Sequence, residues 1–443
     1  MRIIFLFLFF VSFPFLFAQP RLIIPDANIS PTFIRAISIS GNEKTAEYVI
    51  RRELTFTPGD TVKVSVLHYN KNRIYSLALF NKVEMFLQPV GDDSVDIRIN
   101  VSERWYIYPF PVLQAIEGDF KKLNYGFSIM HSNFRGRNEK LITSFTFGYN
   151  PFLSVYYYNP LINEQPELFC ESQLMYSNIR NHSTIALGTG KNFDEIHYGA
   201  LFNIGRRFDL FRRFTFGGEL NTVQVSAYQP RRTIAKSGKD TYVTIRTNYS
   251  YDSRDLAQYA GDGMLFRSSL AKMGLHKNGV NFTRIAFDYR RYFPLKLDSS
   301  FTATLAARLF TTATQGKNVP SYEFLYFGYQ EKIRGHNQKK IEGDNVVGAA
   351  MEFRLPFFTP RIYQLAFMPV KQFSVFHFGM YLALFGNIGA MQFQPMKMNE
   401  FVFVKGYGAG IHFLLPYDFL LRTEIAFNEA RQSEIILELG TAF

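Results

Sequence analysis

Beyond about residue 105 the hydrophobic pattern of the chain is one of alternation. Phe301, Ala303, Leu305, Ala307 and Leu309 interleave with Thr302, Thr304, Ala306, Arg308 and Phe310. Val243, Ile245, Thr247 and Tyr249 interleave with Thr244, Arg246 and Asn248, and near the end Ile435, Leu437, Leu439 and Phe443 oppose Glu434, Glu438 and Gly440. A period of two sends successive side chains to opposite faces of a strand, so each segment carries one apolar and one mixed face. At roughly 20 residues per strand and loop, residues 106–443 accommodate about sixteen such strands. A soluble β-sandwich shares this alternation. Aromatic residues gathered beside the turns favour instead a membrane barrel with interfacial girdles.

Residues 31–105 follow a different rhythm. Phe33 to Ile39 alternates as a strand and stops at Gly41 and Asn42. Thr45 is placed as the N-cap of a short helix carrying Glu47 in its first turn and Val49, Ile50 and Leu54 on its apolar face. Pro58 and Gly59 end it. Ser65 opens a second helix with Leu67, Ile74, Leu77 and Leu79 as its apolar positions. Two strands follow, Lys82 to Leu87 and Val95 to Val101, the latter with Val95, Ile97, Ile99 and Val101 on one face. The order strand, helix, helix, strand, strand predicts a small α+β unit.

At the N-terminus Met1 and Arg2 precede an apolar run from Ile3 to Phe17, followed by Ala18 and Gln19, the order of a secretory signal spanning 1–18 with cleavage after Ala18. An uncleaved anchor helix is the alternative, disfavoured by the shortness of the run and by Pro14. No later stretch approaches the roughly 18 apolar residues that a spanning helix requires. With 47% hydrophobic residues and a mean hydropathy of −0.07, the apolar residues must be dispersed among polar ones, as in a barrel.

Other function classes are narrowed by composition. Cys170 is the single cysteine, so neither an intramolecular disulfide nor a cysteine-based zinc site is available. The net charge of +12 is spread along the chain without a long basic block, which points to anionic lipid and a basic lumen and not to nucleic acid. No phosphate loop, Gly-x-Ser-x-Gly elbow or His-Glu-x-x-His motif occurs, leaving an enzyme as the weakest class and no cofactor, metal site or catalytic residue to propose. His131, His197 and His336 stand isolated in sequence.

If strand one starts from the periplasm, even-to-odd connections are periplasmic turns, odd-to-even ones are external loops, and strand sixteen returns to end at Phe443. The longest connection, about Thr314 to Asp344, then falls externally between strands eleven and twelve, with Ile333-Arg334-Gly335-His336 at its middle.

Several segments carry a family resemblance. Phe33 to Gly41, the Pro58-Gly59-Asp60 turn, Leu79-Phe80 and the Ile99 to Glu103 exit resemble a polypeptide-transport-associated (POTRA) domain, although an ordinary small α+β domain would read similarly. Asn133-Phe134-Arg135-Gly136 at a predicted periplasmic turn, Tyr251-Asp252-Ser253-Arg254-Asp255 before Gly261, Ile333 to His336, and Glu352-Phe353-Arg354-Leu355-Pro356 together resemble the BamA/TamA superfamily of outer-membrane assembly factors, in that family's order. The chain departs from the pattern at Asn138, where a second glycine is common, and at His412, where arginine is frequent and an ordinary lumen residue is expected. It departs again at Asn387, in Phe385-Gly386-Asn387-Ile388-Gly389, where the family supplies an aspartate to the loop-tip arginine. Asn387 offers Arg334 only an uncharged acceptor, and Glu352 is the candidate to compensate.

The resemblance implies an outer-membrane protein with its N-terminal unit in the periplasm, which inserts or translocates other polypeptides. Its expected partners are extended outer-membrane clients, outer-membrane lipid, and periplasmic or lipoprotein accessory proteins. The edge Lys82, Val83, Glu84, Met85, Phe86, Leu87 is the candidate for β-augmentation by clients. A seam between the first and last strands, marked by Pro109, Pro111, Leu437 and Phe443, is the candidate lateral opening: prolines at i and i+2 delete two N–H donors along one edge. The prolines alternatively precede the start of the strand. A dedicated pore similar to two-partner secretion transporters and a passive or structural barrel remain as other readings. The C-terminal Leu437 to Phe443 resembles the aromatic-ended assembly signal of outer-membrane barrels generally.

Overall fold

The computed structural model describes residues 32–90, 93–115, 121–163, 166–181, 183–187, 192–226, 228, 230, 232–298, 301–327, 331–336, 341–364, 375–394, 400–415 and 419–440. The signal segment and Phe443 lie outside these residues.

The N-terminal unit is a four-stranded sheet in the order β2-β1-β4-β3, made of β1 (Thr32–Ser40), β2 (Thr61–Val62), β3 (Phe80–Pro89) and β4 (Ser94–Glu103). β1 and β4 run parallel, and β3 pairs antiparallel with β4. Helices α1 (Glu47–Arg51) and α2 (Val64–Tyr75) complete it. Val95, Ile97, Ile99 and Val101 meet Ile34, Val49, Ile50, Leu67, Ile74 and Val83 in one core, as the alternating and helical spacings require.

Both helices differ from expectation at their ends. Ala46 takes the N-cap position of α1 without a side-chain cap. The Thr45 hydroxyl donates instead to Glu103 Oε1 at 2.6 Å and lies 2.9 Å from the Tyr106 hydroxyl, so long-range bonds at the exit of the sheet outcompete the local cap. α2 stops at Tyr75. Ala78 has φ of 59°, and this left-handed residue turns the chain so that Leu77 and Leu79 pack from the loop.

A sixteen-stranded antiparallel sheet follows. Its first half comprises β5 (Ile107–Ala115), β6 (Leu123–Phe134), β7 (Glu139–Gly148), β8 (Phe152–Asn163), β9 (Leu168–Arg180), β10 (Asp194–Arg207), β11 (Arg212–Val225) and β12 (Lys239–Asp252). β13 (Gly263–Met273), β14 (Asn281–Asp298) and β15 (Phe301–Asn318) continue it, and a two-stranded hairpin of β16 (Leu325–Phe327) and β17 (Ile341–Gly343) interrupts the succession. β18 (Asn345–Gln364), β19 (Val375–Gln392), β20 (Val402–Leu414), β21 (Leu420–Asn428) and β22 (Ser433–Leu439) complete the sheet. Counted along it, β15 and β18 are strands eleven and twelve, so the hairpin belongs to the long connection between them.

One face of the sheet is oily: Val243, Ile245, Leu309, Ile435 and Leu437 are exposed apolar residues. The other carries charge that pairs internally, as where Arg308 meets Asp288 at 2.8 Å and Glu331 at 3.1 Å. β5 and β22 are its two ends. The ring of Phe110 in β5 meets that of Phe419 at the foot of β21 edge-on, centroids 6.0 Å apart, and among the described residues β5 and β22 share no ladder.

The N-terminal unit is seated on the turns at one end of this sheet. Asn133 Nδ2 donates to the Thr45 hydroxyl at 3.0 Å, and the Ala46 N–H donates to the Gly136 carbonyl at 2.9 Å. Gly136 has φ of +73°, and a Cβ there would fall 2.1 Å from the Lys44 carbonyl oxygen, so both its conformation and this close approach require glycine. Arg52 pairs with Glu167 at 2.9 Å. Glu53 pairs with Arg207 at 2.7 Å and with Arg73 of α2 at 2.7 Å. Leu256, in the β12–β13 turn, packs against the core of the unit, beside an Ala257 N–H that donates to the Ser76 hydroxyl at 3.3 Å.

Connections at the opposite end close inward. Tyr242 donates to Glu323 and Tyr322 to Asp240, each at 2.7 Å, while Ser183 donates to Glu342 on β17 at 2.6 Å. The long connection is therefore held by strands and loops on both sides of it.

Candidate functional site

The middle of the long connection reaches the wall formed by β18 to β22. Ile333 is buried with Phe310, Phe327, Val346, Met391 and Val404, which anchors the tip before any charge is placed. Arg334, 3% exposed, then donates from Nη1 to Glu352 Oε2 at 2.6 Å and Glu424 Oε1 at 2.9 Å, and from Nη2 to Asn387 Oδ1 at 3.0 Å. Its guanidinium carbon lies 3.6 Å from the centroid of the Phe385 ring. Neighbouring residues extend the grip. The Gly335 N–H donates to Glu434 at 3.2 Å, and His336 Nε2 donates to Glu429 at 2.7 Å and to the Lys405 carbonyl at 3.2 Å. A Cβ at Gly406 would stand 1.8 Å from the Arg334 carbonyl oxygen; only a glycine on β20 lets the loop backbone come this close.

The neutral Asn387 thus serves as one of three acceptors. Charge is balanced by two strands: Glu352 comes from β18 and Glu424 from β21. Neither Glu424 nor the arginine beside it, Arg422, stands out in the sequence, and Arg354 does so only as part of the Glu352 to Pro356 motif. Arg354 donates to Glu352 Oε1 at 2.7 Å, and Arg422 joins Glu424 at 2.9 Å and Glu438 of β22 at 2.6 Å. The pairs Glu352/Arg354 and Arg422/Glu424 are each spaced by two, which puts both members on the inward face of their strand. That spacing is the signal the sequence offered.

His412 is also more than a lumen-lining residue. It is fully buried, with Nε2 3.0 Å from Glu424 Oε1 and Nδ1 2.7 Å from the Tyr259 hydroxyl. A carboxylate only accepts, so Nε2 carries the hydrogen toward Glu424, and in the neutral ring Nδ1 accepts from Tyr259. Tyr259 belongs to the same β12–β13 turn as Leu256. Its ring lies 4.1 Å from the Arg354 guanidinium, and Arg354 also donates to the Ala260 carbonyl at 3.1 Å. One turn thereby touches the core of the N-terminal unit at Leu256 and the buried charge cluster at Tyr259.

Glu352, His412 and Glu424 place potential ligand atoms within 4.8 Å of one another, a spacing a metal ion could bridge. Arg334 and Arg354 already occupy the oxygens of Glu352, and Arg334, His412 and Arg422 occupy those of Glu424. The guanidinium groups supply the positive charge that a cation would bring, and the chemistry is that of an electrostatic lock.

The remaining sequence candidates lie apart from this cluster. Lys82 to Leu87 fall on β3, an outer strand of its sheet whose one partner there is β4. Val83 faces the core, and Phe86 is exposed. Pro109 and Pro111 lie inside β5, which starts at Ile107, so the alternative that they precede the strand is set aside. The Ser132 N–H donates to the Tyr106 carbonyl, and the register continues as Tyr108 opposite Met130 and Phe110 opposite Ser128. Even-numbered residues of β5 therefore bond toward β6, and the nitrogens of Pro109 and Pro111 point to the free edge. Leu437 is exposed on β22.

Comparison with known proteins agrees with this architecture. Residues 133–443 match the Omp85 superfamily domain, and residues 32–104 match the POTRA model described as a surface antigen variable number repeat. The chain is 22% identical over 342 residues to the outer membrane protein assembly factor BamA of Nitratidesulfovibrio vulgaris, covering 72% of this chain and 40% of that protein. It is 28% identical over 111 residues to BamA of Neorickettsia risticii, covering 25% of this chain and 14% of that one. The chain thus spans less than half the length of these relatives. Among solved structures, BamA from Haemophilus ducreyi lacking POTRA domains 1–3 superposes with a TM-score of 0.54 at 16% identity, over 92% of this chain and 83% of that one. CdiB from Escherichia coli superposes with a TM-score of 0.57 at 8% identity, over 92% and 74%. With an N-terminal POTRA unit seated on a sixteen-stranded sheet whose long connection is locked by Arg334, and with the superfamily model matching most of its length, the chain belongs to the Omp85 superfamily.

Proposed function

We propose that this protein inserts or translocates other polypeptides at the outer membrane, where it resides with its POTRA unit in the periplasm. The observation that carries the reading is the edge chemistry of β5. Pro109 and Pro111 withhold two N–H donors from the side facing β22, and so weaken the closure that would otherwise seal the sheet. Extended clients bind by β-augmentation at β3, along Lys82 to Leu87, where backbone bonds give affinity without demanding one sequence. They then pass at the seam between Pro109, Pro111 and Leu437. Arg334 holds the long connection against β18, β19 and β21 while the seam parts.

The inward fastening of the long connection through Arg334 argues against a passive pore. A dedicated exporter of one partner, as a second reading, takes support from the similarity of fold to CdiB. Depletion of the protein followed by quantitative proteomics of outer membrane and medium tests both. Joint loss of many barrel proteins is the expected result, loss of a single secreted or surface protein favours the dedicated exporter, and no change in either fraction sinks the proposal.

A further inference from the structure

A second feature of the barrel lies away from both the seam and the Arg334 lock. A cavity of about 320 Å³ is lined by Lys140 of β7, Tyr156 and Tyr158 of β8, Phe169 and Glu171 of β9, Arg213 and Thr215 of β11, and Ser250 of β12. We propose that it binds an oxyanion carrying an apolar or aromatic group.

The first ground is uncompensated charge. Neither Lys140 nor Arg213 has an ion-pair partner among the described residues, and the recess sets only one carboxylate, Glu171, against these two cations. Glu171 accepts from Tyr156 at 3.0 Å through Oε2 and from Asn203 at 2.6 Å through Oε1. Glu139 is taken by Arg135 and Tyr157. Arg207, the cross-strand neighbour of Arg213, is neutralised by Glu53, whose other oxygen is held by Arg73. Two like charges lining one recess repel each other, and an anion between them removes that cost.

The second ground is shape and lining. The recess has room for more than a bare inorganic ion. Tyr156, Tyr158 and Phe169 put aromatic rings in the lining, those of Tyr158 and Phe169 tilted together with centroids 6.0 Å apart, and Thr215 and Ser250 add hydroxyls able to donate to an anion's oxygens. Gly205 seats one wall of the recess: it pairs with both Phe169 and Thr215, and the Phe169 ring lies over it where a Cβ would come within 2.2 Å. A phosphate monoester and a carboxylate share this chemistry.

Calorimetric titration of the full-length protein in nanodiscs, at constant ionic strength, separates them with phenyl phosphate, 3-phenylpropionate and inorganic phosphate as probes. At least one phenyl anion is expected to bind at a single site and more tightly than inorganic phosphate. Lys140→Met or Arg213→Gln should weaken it by about tenfold, the loss of one charge-assisted contact. Arg246→Gln, a change elsewhere on β12, should leave binding intact, and heat-modifiable mobility on gels verifies folding of each variant. Preference for phenyl phosphate identifies a phosphate-bearing ligand, and preference for 3-phenylpropionate a carboxylate-bearing one. Absence of single-site binding, or wild-type affinity in the folded Lys140→Met/Arg213→Gln protein, overturns the proposal.

Discussion

Glu53 of the POTRA unit accepts a hydrogen bond from Arg207 of β10 at 2.7 Å, and both side chains are almost wholly buried at the junction. Arg73 holds the other oxygen of the same carboxylate and in turn donates to the Leu210 carbonyl at 3.1 Å. A buried carboxylate between two guanidiniums ties an element of the small domain to a periplasmic turn of the barrel, so the two parts are fastened by chemistry as well as by the covalent link at residues 104–106.

Replacing Glu53 by Gln leaves the buried Arg73 without its counter-charge and Arg207 with only Glu167 at 3.9 Å, and breaking a buried pair in this way costs about 3–5 kcal/mol. The expected outcome is a POTRA unit that swings away from the β10–β11 turn, read as a broadened distance distribution between spin labels on α2 and on that turn. An unchanged distribution would mean that the hydrogen bonds at Gly136 and Asn133 suffice alone.

The same residue gives the junction a pH dependence. Burial raises the Glu53 carboxyl, but the ion pairs with Arg207 and Arg73 outweigh burial and hold it below the ordinary glutamate value of 4.5. A depressed carboxylate stabilises the folded arrangement above its unfolded value, and that contribution is lost as the pH falls through the folded one. Docking should therefore be constant at neutral pH and loosen only on acidification below about 4.5. The spin-label distances, followed downward in pH, should show this in wild type and not in Glu53→Gln.

Arg334→Ala leaves Glu352 and Glu424 with one guanidinium fewer in a buried site, at a cost of about 3–5 kcal/mol to the seated loop. Limited proteolysis should cut the long connection of this variant and spare that of wild type, and the temperature of heat-modified gel mobility should fall. If Arg334→Ala matches wild type in both, the lock at Arg334 is dispensable.

Gly406→Val tests the same seat without altering charge. Its side chain would collide with the Arg334 carbonyl, and overpacking of this kind costs about 1–3 kcal/mol. The proteolysis pattern should resemble that of Arg334→Ala, whereas a protected loop would show that β20 can yield.

Pro109→Val with Pro111→Val restores two N–H donors to the free edge of β5, the edge proposed to meet β22. The seam should tighten by about 0.5–1.5 kcal/mol per added hydrogen bond, raising the melting temperature and slowing client assembly. Cysteines at positions 113 and 437 offer the complementary check: a cross-linked protein that works at full rate excludes lateral opening.

Much of this was legible in the sequence because the signals are local. The alternation of Phe301 to Phe310 follows from the geometry of one strand between lipid and lumen. The hairpin-bearing connection before β18 was visible as a long gap in that alternation. The helix ends escape the local signals for the opposite reason: Thr45 has the side chain of a cap, but Glu103 and Tyr106 compete for its hydroxyl from 58 and 61 residues away.

By itself the sequence determined the strand period, the division into a POTRA unit and barrel strands, and the identity of Arg334 as the charge to be compensated. Tertiary structure alone decided what compensates it. Glu424 lies 90 residues beyond Arg334, and Tyr259 lies 153 residues before His412, so no spacing along the chain announces them. A lumen-facing glutamate looks the same in sequence whether it meets water or a buried guanidinium. The curvature of the sheet brings β18, β20, β21 and the β12–β13 turn around one loop, and Coulomb attraction in that dry space selects the partners.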